Sequence, residues 1–308
     1  MEASITLKSL AKKYNEDIIL ADLSLGIESR SNHVLIGPNG SGKSTLLKIL
    51  IGLIEKDAGI AYINGKDISN RGPETRMVTG YMSQHIDLDI DITVYENLLI
   101  FSELYGISQN QAKDKIIKYS DIFDFKSNLA KHPNQLSKGT QRTIQFVRSI
   151  IHDPEVLLLD EPTTFMDPIN KIKFWNILDR ISKDKTLLFT TQDFNEAEKY
   201  ADRISILHNG NIRMDGSLDR LVGTIKGIAK YQIRFKESPN IKILDQIKDL
   251  SKILKPEING NNLDFYATQK KDFFHVLKIA MELQIDDIDM SFCSLIDLYL
   301  GLIRGGVE

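Results

Sequence analysis

The stretch His33-Val34-Leu35-Ile36-Gly37-Pro38-Asn39-Gly40-Ser41-Gly42-Lys43-Ser44-Thr45-Leu46-Leu47 decides the fold. Val34-Leu35-Ile36 is a short apolar run that reads as a buried strand, and Leu46 to Ile54 is apolar at helical spacing. Between them, Gly37 to Thr45 fits G-x-x-x-x-G-K-[ST], the pattern of a phosphate-cradling loop. Glycine at 37, 40 and 42 lets the backbone turn its N–H groups inward around phosphate oxygens, which a Cβ would obstruct. A helix starting near Lys43 points its positive end at the same anion. Lys43 is then expected to reach the β- and γ-phosphates, and the Ser44 hydroxyl to ligate Mg²⁺.

Length and composition frame this reading. A chain of 308 residues holds one large domain or two ordinary ones. Hydrophobic content of 42% and charged content of 26% are ordinary for a soluble globular protein. The net charge of −3 gives no electrostatic case for nucleic acid. The single cysteine, Cys293, excludes an internal disulfide and a Cys-rich metal site, and reads as a buried thiol in an apolar C-terminal helix. No apolar run approaches the ~18 residues of a membrane span. Met1-Glu2-Ala3-Ser4 carries no signal pattern. The expectation is a cytoplasmic protein whose link to a membrane, if it has one, runs through a partner.

On the N-terminal side of the loop, residues 4–10 and 18–28 alternate apolar and polar side chains like half-buried strands. Tyr14 lies just before the Asn15-Glu16-Asp17 turn between them. There it either packs or stacks on a purine ring. On the C-terminal side, Gly59 to Asn64 reads as a strand entering an Asn-Gly turn, and 77–82 as a strand ending at Ser83-Gln84. Residues 93–152 are helix-rich. Thr93 with Glu96 forms a capping box, Ser108 opens a second helix, and an amphipathic helix follows Leu136-Ser137-Lys138-Gly139. Ser137 and the Gly139 amide sit at that helix's N-terminus, a second place that favours an anion.

Glu155-Val156-Leu157-Leu158-Leu159-Asp160-Glu161 is an apolar run ending in two carboxylates. Four unbroken apolar residues suit a strand buried on both faces of a parallel sheet. Asp160 at its end stands where a Mg²⁺ carboxylate belongs, and Glu161 is placed to orient and deprotonate a water. Asp167-Pro168 begins the next helix, 187–191 is another central strand followed by Gln192-Asp193, and 204–214 reads as a hairpin.

Taken in order, Tyr14, Gly37–Thr45, Gln84, Leu136–Gly139, Asp160-Glu161 and Asp167 resemble the nucleotide-binding subunit of an ABC transporter over residues 4–218, about two-thirds of the chain. The resemblance implies an α/β fold, a P-loop NTPase cassette with a mixed sheet core, an antiparallel β subdomain and a helical subdomain at about 85–152. It implies an ATPase domain over 1–220 and a small α+β accessory domain over 221–308. It gives Tyr14 to the adenine and Gly37, Pro38, Asn39, Gly40, Ser41, Gly42, Lys43, Ser44 and Thr45 to the phosphates. Ser44, Gln84 and Asp160 then serve Mg²⁺. Glu161 is the general base, with Lys43 and Gln192 assisting. Ser137, Lys138 and Gly139 bind ATP across an interface with a second, head-to-tail copy, and Asp167 touches that opposite site. The region at about 85–135 is where such subunits receive an integral membrane permease, which holds them on the cytoplasmic face of the membrane.

Two departures from the family pattern stand out. Lys138 and Thr140 replace residues usual in the signature, and Gln192 stands where the family normally has histidine. Both occur in the subfamily of drug, polysaccharide and bacteriocin exporters, so the implied function is to power export with ATP. A soluble ABC ATPase on ribosomes or DNA is the alternative. The tandem cassettes, coiled-coil insertions and basic stretches typical of those proteins are missing here. A nucleotide kinase or GTPase is disfavoured by Leu136–Gly139 and by the lack of an Asn-Lys-x-Asp motif. In the tail, strands are expected at 228–235, 254–258, 262–267 and 285–290. Helices are expected at 240–253, 271–283 and 293–303, and Pro256 confines its strand to a sheet edge. Regulation and dimer stabilisation both fit such a tail.

Overall fold

The computed structural model describes residues 3–70, 73–223, 229–240, 242–248, 253–267, 270–281, 283–292 and 294–303. Cys293 lies outside them. The chain divides into two compact units, Met1–Ser217 and Leu218–Glu308.

The first unit opens with the hairpin β1 (Ala3–Tyr14) and β2 (Asp17–Glu28), then β3 (Asn32–Ile36) and helix α1 (Lys43–Leu50). It continues with β4 (Ala58–Ile63), β5 (Lys66–Asp67), α2 (Pro73–Met77) and β6 (Thr79–Met82). Three helices follow, α3 (Val94–Leu104), α4 (Gln109–Ile122) and α5 (Lys138–Ile150). The unit closes with β7 (Val156–Asp160), α6 (Pro168–Ile181), β8 (Thr186–Thr191), α7 (Phe194–Tyr200), β9 (Arg203–His208) and β10 (Asn211–Gly216).

Two sheets organise this unit. One is antiparallel in the order β2-β1-β4-β5, and the other runs β10-β9-β3-β8-β7-β6. In the second sheet every pairing is parallel except β10 on β9. The fold is therefore the α/β cassette with a mixed sheet, an antiparallel β subdomain and a helical segment. β7 and β8 are buried along their whole length, as apolar runs covered on both faces require. Helix α1 packs Leu46, Leu47, Ile49 and Leu50 into one core with Ile5, Leu7 and Leu23 of the antiparallel sheet and Val156, Leu158 and Leu188 of the mixed sheet. An aromatic chain from Phe146 through Phe174 and Trp175 to Phe189 ties α5 and α6 to β8, with ring centroids 4.8–5.9 Å apart.

Parallel order has a functional consequence. β3, β8, β7 and β6 are neighbours in that sequence, so the loops leaving their C-terminal ends line one edge of the sheet. Those loops begin at Gly37, Gln192, Glu161 and Ser83.

Several boundaries moved. The helix expected to run to Ile54 stops at Leu50, because Gly52 takes a left-handed conformation (φ 73°) and the Gly52 and Leu53 amides turn back to the Ile49 and Lys48 carbonyls. The first strand runs four residues past 10, so that Tyr14 ends a strand. The strand expected from 77 starts at Thr79, with α2 in front of it. The capping box at Thr93 is present, with Glu96 N–H donating to Thr93 Oγ1 at 3.2 Å and Thr93 N–H to Glu96 Oε2 at 2.8 Å.

The second unit holds α8 (Leu218–Gly223), β11 (Ala229–Phe235), α9 (Lys242–Lys248), β12 (Ile253–Asn259), β13 (Asn262–Ala267), α10 (Lys270–Ala280), β14 (Ile285–Phe292) and α11 (Leu295–Ile303). Its sheet is antiparallel throughout, in the order β12-β13-β11-β14. From β11 to β14 the order of elements is β-α-β-β-α-β, the split βαβ arrangement. Tyr231, Ile233 and Phe265 face Ile243, Ile247 and Val276 of the helices, so one sheet face carries the core. Pro256 lies on edge strand β12, inside a register shift between Leu254 and Glu257 in its pairing with β13.

Candidate active site

The loop after β3 takes its shape from its own packing. A Cβ on Gly37 would stand 2.2 Å from the Leu207 carbonyl oxygen, so only glycine fits where the strand leaves the sheet. Gly42, at φ 107°, caps α1 and would press a Cβ onto Leu20 at 2.7 Å. Lys43 is buried and folds back inside the loop, donating from Nζ to the Gly37 and Pro38 carbonyls at 2.8 and 3.0 Å. Burial pulls its pKa down, while Glu161 and Asp160 push it back up. Ser41 Oγ is buried with no hydrogen-bond partner, a polar atom aimed into the same loop.

Asp160, 1% exposed, sits at the end of β7. Its Oδ1 accepts from Thr190 Oγ1 at 2.6 Å, and its Oδ2 has no hydrogen-bond partner. Thr190 Oγ1 also accepts from Glu161 N–H at 3.0 Å, so one hydroxyl fixes both acidic residues. Glu161 holds a left-handed backbone at φ 47°, uncommon for a residue with a side chain and frequent where function fixes the geometry. Its Oε1 accepts from Gln192 Nε2 at 2.5 Å and its Oε2 from Thr164 Oγ1 at 3.3 Å.

Among the described residues, no group of three or more His, Cys, Asp or Glu side chains forms a metal cage. The unpartnered Oδ2 of Asp160 instead fits a hard cation held by one carboxylate together with substrate phosphates. Ser44 lies in the first turn of α1, and Gln84 on the loop after β6.

Tyr14 aside, the expected site residues fall into two groups. Loop 37–45, Gln84, Asp160, Glu161 and Gln192 gather on one sheet edge. Ser137, Lys138 and Gly139, with Asp167, instead line a cavity of about 550 Å³ to which no residue of loop 37–45 contributes. Ser137 caps α5, its Oγ accepting from Thr140 N–H at 3.1 Å. Gly139 is pressed against the Phe165 carbonyl oxygen, which a Cβ would approach to 3.3 Å. Asp167 caps α6 through Ile169 and Asn170, whose N–H groups hold its carboxylate below the usual range. Tyr14 stands apart at the end of β1, 44% exposed.

Two residues escaped the reading of the sequence. Thr190 lies in the strand expected at 187–191, where no role was assigned to it. Arg142 lies in the amphipathic helix after Gly139 and is fully buried. It donates to the carbonyls of Ser83, Gln84, Asp160 and Glu161. Only the packing of α5 against the ends of β6 and β7 shows this.

A family profile described as ABC transporter matches residues 20–164. The chain is similar to the Nod factor export ATP-binding protein I of Burkholderia orbicola (strain AU 1054), 31% identical over 266 residues that cover 86% of each chain. A solved ATP-binding subunit of an ABC transporter superposes with a TM-score of 0.66 at 29% identity, covering 70% of this chain and 91% of its own. A dimeric ABC cassette in a post-hydrolysis state, bound to ADP and Pi, gives 0.64 at 26% identity and also covers 70% of this chain and 98% of its own. The chain therefore belongs to the ATP-binding proteins of ABC transporters, is related to their exporter ATPases, and catalyses the reaction of that family, the hydrolysis of ATP.

Proposed function

We propose that the chain powers export through a separate membrane permease by closing head to tail on a second copy of itself with ATP between the two. One observation carries this reading. Ser137, Lys138, Gly139 and Asp167 line a cavity to which loop 37–45 contributes no residue, which supports a nucleotide on that loop meeting Ser137–Gly139 from another copy. Phe165, 62% exposed, and the exposed Ile169 flank Asp167 on that second face, as a surface covered by a partner would have them.

In this account Tyr14 stacks on adenine and the backbone of residues 37–45 cradles the phosphates. Lys43 reaches from the loop carbonyls to the terminal phosphate. Ser44, Gln84 and Asp160 hold Mg²⁺, which supplies charge neutralisation at the phosphates. Glu161 takes the proton of the attacking water, and Gln192 keeps its carboxylate aimed. In the second copy, Ser137, Lys138 and Gly139 contact the γ-phosphate at a helix N-terminus, and loss of that phosphate releases the closed dimer.

In this reading the permease docks on the segment at about 85–135, which the exposed Ile90, Ile100 and Leu104, the last 76% exposed, support. Among the described residues no helix is long and apolar enough to cross a membrane, so the protein would sit on the cytoplasmic face through that contact. Export is the direction given in the name of the Burkholderia relative. Affinity purification of the tagged chain from detergent-solubilised membranes of its host tests the reading. A polytopic membrane protein should copurify, and Ile100→Asp/Leu104→Asp should lose it while keeping ATPase activity. Copurification of ribosomes or DNA instead, with no membrane protein, would overturn it.

A further inference from the structure

Among the described residues, Arg142 is the largest fully buried side chain. Burial lowers its pKa only to about 10, so it is charged at neutral pH. A buried charge costs several kcal/mol unless it is fully satisfied, and carboxylates are its usual partners. Here four main-chain carbonyls and one side-chain amide accept from the two Nη groups, while the buried Nε has no partner. Nη1 donates to Ser83 O at 2.7 Å, Gln84 O at 3.2 Å and Gln145 Oε1 at 2.9 Å. Nη2 donates to Asp160 O at 3.1 Å and Glu161 O at 2.7 Å. One branch of the fork thus holds the loop of Gln84, and the other holds the backbone of the two catalytic acids.

The same face of α5 continues the tether. Gln145, one turn on, donates to Ser83 Oγ at 2.9 Å, His85 O at 2.8 Å and Asp87 Oδ1 at 2.7 Å. Arg148, a turn further, pairs with the Asp87 carboxylate and donates to its carbonyl at 2.9 Å. Loop 83–87 is therefore fastened to a helix whose other end is Ser137. A rigid-body shift of α5 moves the carbonyls of Gln84, Asp160 and Glu161 with it.

We propose that Arg142 is a positioning residue that makes α5 a transmission rod. Engagement of Ser137–Gly139 by the nucleotide of a second copy sets, through the Arg142 fork, where Gln84 and Glu161 stand over this copy's own nucleotide. This rests on the roles given above to Glu161 and to residues 137–139. The planar fork is essential, because a lysine ammonium keeps the charge but cannot span two loops.

The consequence is a split between binding and turnover. Nucleotide binds loop 37–45, which Arg142 does not touch, whereas hydrolysis needs the carboxylate of Glu161 in place. Misplacing a catalytic group by an ångström costs on the order of 10- to 100-fold in rate. Arg142→Lys is therefore expected to lower kcat by roughly that factor while the ATP dissociation constant, read with a fluorescent analogue, stays within about threefold. Gln145→Met loosens loop 83–87 but leaves the fork on Asp160 and Glu161, and should keep at least about a third of wild-type kcat. It also tests the account if Arg142→Lys fails to fold, since a Gln145→Met loss as large as that of Glu161→Gln would assign the effect to the loop tether and not to the fork. Arg142→Lys turning over at the wild-type rate would overturn the proposal. So would a parallel loss of affinity, kcat and thermal stability, which marks a purely structural residue. Glu161→Gln hydrolysing like wild type would sink the underlying reading and not Arg142 alone.

Discussion

Gln192 Nε2 donates to Glu161 Oε1 at 2.5 Å, joining the end of β8 to the end of β7 across the candidate reaction centre. The carboxylate is thereby held by an amide where the family normally places an imidazole. An amide donates only neutral hydrogen bonds and carries no titratable charge.

The first prediction concerns this pair. Removing a hydrogen bond to a charged group costs about 1.5–3 kcal/mol, so Gln192→Ala should slow ATP hydrolysis by at least roughly 10-fold. Gln192→His, which restores a ring able to carry charge near the γ-phosphate, should be as fast as wild type or faster. Steady-state phosphate release reads both. Gln192→Ala at the wild-type rate would make Gln192 a strand-end residue with no part in the reaction.

A second prediction follows from the end of β1. Asp57 pins it with three contacts: its N–H donates to Ala11 O at 2.9 Å, while its carboxylate accepts from Lys13 N–H at 2.6 Å and Lys12 Nζ at 2.9 Å. Lys12 Nζ in turn lies 5.2 Å from the Tyr14 ring centroid. Tyr14→Ala should weaken ATP binding by about 1–3 kcal/mol, and Tyr14→Phe should be close to neutral. Asp57→Ala should act in the same direction and add nothing in the Tyr14→Ala background. Equal losses in Tyr14→Ala and Tyr14→Phe, read by calorimetric titration, would remove the stacking role.

Acid should destabilise the protein through two histidines. Burial, opposed in part by a bond to the Thr79 carbonyl, takes His152 down to about 4, and burial likewise takes His33 to about 4 against the pull of Asp215. As pH falls below 6.5 the unfolded chain takes up these protons first, so stability drops from there towards pH 4 and not further on their account. His152→Phe keeps a ring against Tyr105, whose centroid is 3.7 Å away, but cannot titrate. Denaturant midpoints between pH 7 and 4.5 should then fall less steeply, by up to about 1.4 kcal/mol per pH unit. An unchanged slope would place the acid sensitivity elsewhere.

How much of this was legible beforehand follows from where each signal resides. The strand, loop and helix around Gly37–Thr45 could be read because their signal is local: three glycines and a lysine within nine residues, between an apolar run and a helically spaced one. The buried strand ending in Asp160-Glu161 was legible for the same reason. Thr190 and Arg142 were not, since a hydroxyl bridging two acids and a fork spanning two loops exist only once β7, β8 and α5 are packed together. The helix overrun at Ile51–Ile54 has a different origin. Apolar spacing continued past Leu50, and a single left-handed Gly52 outweighed it.

A fourth prediction uses the loop itself. Gly42→Ala must hold φ 107° with a Cβ 2.7 Å from Leu20 and 2.9 Å from the Ile19 carbonyl. Backbone strain of this kind costs about 1–3 kcal/mol. ATP affinity should fall together with thermal stability, since the α1 N-terminus shifts in both. Unchanged ATP binding in Gly42→Ala would mean that the nucleotide does not sit on this loop.

The most direct test of the whole account is Glu161→Gln with saturating ATP and Mg²⁺ on size exclusion, with bound nucleotide measured in the eluted peak. The account predicts a stable dimer retaining uncleaved ATP and hydrolysing it at least ~100-fold more slowly than wild type, as loss of a general base implies. A variant that stays monomeric while fully loaded with ATP, or that hydrolyses it at the native rate, would contradict it.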